Sequence, residues 1–76
     1  MVTAGRVIEI AARLREEGAA AVADQLATAH EGVFNGTELA MKWRFYVAQA
    51  RKLNTLSAPT RQEVEQVWRE LQVALS

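Results

Sequence analysis

Residues Phe34 to Leu53 read FNGTELAMKWRFYVAQARKL, and the phasing of this stretch decides the fold. Asn35 has the side chain of a helix N-cap, Glu38 three residues on completes a capping box, and Phe34 with Leu39 has the spacing of a hydrophobic staple. The pattern predicts a helix from Gly36 to about Leu53. At about 100° per residue, Leu39, Trp43, Tyr46, Val47, Ala50 and Leu53 fall on one broad apolar stripe. Met41, Phe45 and Ala48 form a second stripe on the opposite side, with Lys42 and Gln49 along one margin and Arg44 and Arg51 along the other. A helix that is apolar on two sides is either surrounded by its own bundle or keeps one side for a partner.

Working outward, the segment before it predicts two helices around Gly18. Thr3 is placed to cap the first, and Val7, Ile10, Ala11 and Leu14 have the i, i+3, i+4, i+7 spacing of a buried stripe that runs to about Glu17. Gly18 suits a left-handed C-cap, but Glu16 and Glu17 sit badly at the negative end of a helix dipole, which leaves open a single bent helix from Thr3 to His30. As a separate element the second helix spans roughly Ala19 to His30, with Val22, Leu26 and Ala29 inward, and Gly32 ends it. After Leu53 the turn occupies Asn54 to Ala58. A last helix starts near Pro59 or Thr60, because Thr60 and Glu63 have capping-box spacing, and buries Val64, Val67, Trp68, Leu71 and Leu75. No strand-like alternation and no repeat interrupts this pattern. The expectation is one all-α domain over residues 1–76, an antiparallel bundle of three long helices or four short ones.

Size and composition set limits on that bundle. The chain has 76 residues and half of them are hydrophobic, but 14 are alanine, so the larger apolar side chains that build the core are few. Surface scaling for a chain this short hides only about 62% of the unfolded surface, so assembly would add useful stability. With no cysteine there is no disulfide framework and no thiolate site, and the longest apolar run, Ala19 to Ala23, is too short to span a membrane. A cytoplasmic location is expected.

Chemistry-bearing groups are sparse. His30 and Asp24 are the sole histidine and aspartate. Six residues apart on a helix, they fall on different sides and assemble neither a triad nor, with Glu31, a metal site. Glu16 and Glu17, like Glu63 and Glu65, do not flank a common space as an acid and a base would. Catalytic residues, cofactors and metals are therefore not expected. A helix-turn-helix reading of Val7 to Leu26 fails on its recognition helix, which has no lysine or arginine to read a groove.

Charge is uneven although the net charge is zero, with nine basic and nine acidic residues. The five cations Lys42, Arg44, Arg51, Lys52 and Arg61 share the stretch Leu39 to Arg61 with no acidic residue. Two functional expectations follow. The leading one is a non-enzymatic interaction module that packs helices against a second copy or a protein partner through Met41, Phe45 and Ala48, extended by Val73. The alternative is a weak, salt-sensitive nucleic-acid binder that sets those five cations against phosphates.

Overall fold

The computed structural model describes residues 2–76, and it contains four helices: α1 (Ala4–Glu16), α2 (Ala20–Ala27), α3 (Gly36–Arg51) and α4 (Ala58–Ala74). Each boundary has a local cause. Thr3 stays extended and its hydroxyl accepts from the Arg6 N–H at 3.2 Å, which starts α1. At its end Gly18 takes φ 90°, the Ala19 N–H bonds the Leu14 carbonyl at 2.8 Å, and the Gly18 N–H bonds the Arg15 carbonyl at 3.2 Å. That is a Schellman ending, so α1 and α2 are separate helices and the single bent helix is excluded.

The second helix is shorter than its sequence suggests. It stops at Ala27 rather than reaching His30, because the Thr28 hydroxyl donates back to the Asp24 carbonyl at 2.8 Å and a turn with Gly32 at φ 76° follows. His30 is therefore exposed in a turn and not in the last helical turn. Asn35 caps α3 as expected, its side chain accepting from the Glu38 N–H at 2.8 Å. The reciprocal bond is displaced by one residue, since the Glu38 carboxylate accepts from the Phe34 N–H. Phe34 is 92% exposed, so the expected staple onto Leu39 is not made.

The start of α4 also needs correction. Ser57, not Thr60, is the cap: its hydroxyl oxygen accepts from the Thr60 N–H, and Pro59 lies in the first turn, where a missing N–H costs nothing. Thr60 is fully buried, and its hydroxyl donates to Glu17. The Glu17 carboxylate also accepts from the Ser57 N–H at 2.6 Å and the Ser57 hydroxyl at 3.0 Å. A side chain unfavourable at the end of its own helix thus closes the N-terminus of another, where a negative charge is welcome. Foremost the Ser57 N–H, and then the Thr60 hydroxyl, hold the Glu17 carboxyl below the usual carboxylate range.

A pH dependence follows from that direction. A carboxylate with a lowered folded pKa contributes stability that is fully present above its unfolded value, about 4.3, and is lost as pH falls through the folded value. Glu17→Gln is expected to lower the urea midpoint at pH 7 and to lose less on acidification from pH 5 to pH 3 than the wild type does. Parallel acid curves for the two proteins would show that the carboxylate is not capping α4.

The helices form a ring in which α1 packs on α2, α2 on α3, α3 on α4 and α4 on α1, while the backbones of the diagonal pairs stay apart. Neighbours run antiparallel. Arg6 near the start of α1 pairs with Glu70 near the end of α4, whereas Glu17 after α1 meets Ser57 before α4. Likewise Arg51 at the end of α3 bonds Glu65 in the first half of α4. The core lies inside this ring, with Val7, Ile10 and Leu14 from α1, Leu26 from α2, Val47 from α3, and Val64, Val67 and Leu71 from α4. Trp68 and Leu75, expected inside, are only partly buried. Ala23 and Ala50 are completely buried, and their small side chains let α2 approach its neighbours closely. Trp43 spans the interior: it lines one cavity with Val7, Leu26 and His30 and another with Val2, Leu71 and Leu75. No described helix is long and apolar enough to cross a membrane.

Candidate functional site

The inward side of α3 is filled by Trp43, Val47 and Ala50, and helical phasing then dictates what faces out. Met41 is 51% exposed and Phe45 55%, one turn apart, with Ala48 half-buried beside them. Neither large side chain belongs to the core. The Phe45 ring meets Tyr46 edge-on, with centroids 5.5 Å apart and planes at 84°, a geometry that ring quadrupoles favour. Through Tyr46 the stripe continues into an open groove of about 620 Å³ between the start of α2 and the C-terminal half of α3. Ala19, Ala20 and Ala21 form one wall and Tyr46, Gln49 and Leu53 the other. The groove exists because α2 has eight residues against sixteen in α3 and starts with alanines, so it fills little of the space beside its longer neighbour.

The cations around this face divide into two groups. Arg51 donates to both Glu65 oxygens, at 2.7 and 3.3 Å, and lies 4.5 Å over the Trp68 ring. That hydrogen bond holds the Glu65 carboxyl below the usual carboxylate range. Arg61 donates to the Leu53 carbonyl and closes the end of α3, and Lys42 donates to the Glu31 carbonyl at 3.2 Å. Arg44 and Lys52 have no hydrogen bond or ion pair among the described residues. Of the five cations in the basic stretch, these two are the ones left to rim Met41 and Phe45. The aromatic side chains are similarly engaged: Trp43 is buried and Trp68 carries Arg51, which leaves Phe45 as the ring on this face most open to solvent.

Val73 does not extend the stripe. It is 76% exposed on α4, in a shallow depression lined by Arg69, Glu70 and Ala74 of the same helix and by nothing from α3. The correction is geometric, because α3 meets the side of α4 that carries Glu65 and Trp68, and Val73 points elsewhere. Two further apolar side chains are exposed without a functional expectation from the sequence. Ile8, 56% exposed, follows Val7 directly and so stands off the buried stripe of α1, a signal its position already contained. Phe34 is the other, freed by the unmade staple. Among the described residues no three metal-ligating side chains come together, and Asp24 is paired with Arg15. Compared with family models, curated proteins and solved structures, the chain shows no significant match.

Proposed function

We propose that this chain is a non-enzymatic interaction module that works in the cytoplasm by packing the outer face of α3 against a protein surface. One observation carries the reading: Met41 and Phe45, both more than half exposed, stand together on a helix whose other side already fills the core. Apolar side chains grouped inside a charged rim have the anatomy of a recognition surface. Arg44 and Lys52 provide that rim. A nucleic-acid role finds less support, since Arg51, Arg61 and Lys42 are engaged within the molecule and a site with two free cations would gain little from phosphate contacts.

The test separates face from fold. Phe45→Glu is expected to leave helical content unchanged and to shift stability by no more than about 0.5 kcal/mol, because an exposed site away from caps and core tolerates substitution. The same variant should lose association with the protein's binding partner, while Val73→Glu, equally charged on an unconnected surface, should retain it. Thermal melts followed by circular dichroism, with binding compared between the two variants, check both halves. Unfolding by Phe45→Glu would place the side chain in the core and end the proposal.

A further inference from the structure

Resting on that reading, we infer that the surface which covers the outer face of α3 is the outer face of α1 in a second copy, so that copies join head to tail. The outer side of α3 presents Met41, Arg44, Phe45, Ala48 and Lys52. The outer side of α1 presents Gly5, Ile8, Glu9, Ala12 and Glu16, all exposed and at the same spacing along the helix. The two sets are complementary in charge and in size. Arg44 and Lys52 are unpaired cations, and Glu9 and Glu16 are unpaired anions among the described residues. Eight residues separate the cations and seven the anions, about 12 and 10.5 Å along a helix, so both pairs can form across one contact. Met41 and Phe45 are large, and Gly5 and Ala12 are small; the space around Gly5 is open, with nothing within 4 Å of where a Cβ would stand. Arg13 shares this helix but lies toward Glu17, whose carboxylate it helps to keep charged.

Topology then fixes the kind of assembly. Helices α1 and α3 are a diagonal pair of the ring whose backbones do not approach each other closely and which meet only through interior side chains such as Trp43, so their outer faces look away from one another. A contact between unlike faces leaves one free face at each end and does not close on itself as a two-fold dimer does. The species formed should therefore grow through dimer, trimer and beyond as concentration rises, without a preferred stoichiometry.

Sedimentation equilibrium of the full chain over a wide concentration range, at 0.05 and 0.5 M salt, provides the test. We expect the mean mass to climb continuously at low salt and less at high salt. Replacing Glu9 and Glu16 with lysine, or Arg44 and Lys52 with glutamate, should weaken association about tenfold or more. Combining all four changes restores zero net charge and should restore association. Every changed residue is outside the core, and circular dichroism verifies the fold of each variant. A wild type that stays monomeric throughout overturns head-to-tail assembly. Association that survives E9K/E16K but is lost in Phe45→Glu also overturns it, in favour of a two-fold α3 contact, and leaves the proposed interaction face standing. Association indifferent to Phe45→Glu removes both.

Discussion

Trp43→Ala is expected to remove most of the stability of this domain. A chain of 76 residues has about 4 to 11 kcal/mol to lose by the usual per-residue range, and a small core sits at the low end of it. Truncating a buried tryptophan costs about 3 to 5 kcal/mol in transfer and cavity terms together. Trp43 is only 8% exposed and touches cavities bounded by α1, α2 and α4, so its removal opens a void at the junction of all four helices. Relaxation cannot easily close it, since the ring has no central element that could move in. Urea titration should show a variant partly unfolded in buffer, whereas Phe45→Ala, two residues further along the same helix, should titrate like the wild type. A Trp43→Ala midpoint near that of the wild type would mean that the four helices are not held through this side chain.

Thr60→Val should lower the urea midpoint although the volume barely changes. The cause is the hydroxyl, which in a completely buried position donates to Glu17. Valine removes the donor and leaves the carboxylate with only the Ser57 N–H and hydroxyl, so the tie between Glu17 and α4 is weakened. The effect should depend on its partner. In a Glu17→Gln background the same substitution should cost clearly less, because groups that share a hydrogen-bond network are not additive. Equal costs in both backgrounds, measured as urea midpoints, would show that the hydroxyl contributes by packing alone.

What the sequence made legible was helical phase. The stripe Trp43, Val47 and Ala50 and its exposed complement Met41 and Phe45 follow from 100° per residue, and so do the buried face of α1 and, apart from the partly buried Trp68 and Leu75, that of α4. Features that depend on a distant residue were not legible. Ser57 and Thr60 are both acceptable caps, and the choice between them is settled by Glu17, forty residues earlier in the chain. By local rules Glu17 itself looks only misplaced. The Phe34 staple has the correct spacing, yet a staple also needs both side chains turned toward each other, and Phe34 faces solvent. The five cations read as one patch until Arg51 and Arg61 find partners, and those partners lie on another helix or beyond the helix end. Helical phase correctly turns Val73 away from the buried face of α4, but it does not say which outer surface Val73 joins, and the packing side of α4 sends it to another one than Met41.

Gathering five cations on and after α3 has an electrical consequence. The five cations of Leu39 to Arg61 lie on and after α3 with no anion among them, and the rest of the chain carries the balancing acidic excess, so a molecule with no net charge is unevenly charged. A dipolar field decays faster with distance than that of a net charge, and at physiological salt it fades within a Debye length of about 8 Å. A partner of the proposed kind would therefore not be steered from afar. It would meet this surface by diffusion at rates typical of neutral surfaces, about 10⁵ to 10⁶ M⁻¹s⁻¹, and an orientation preference would set in only at the last layer of water.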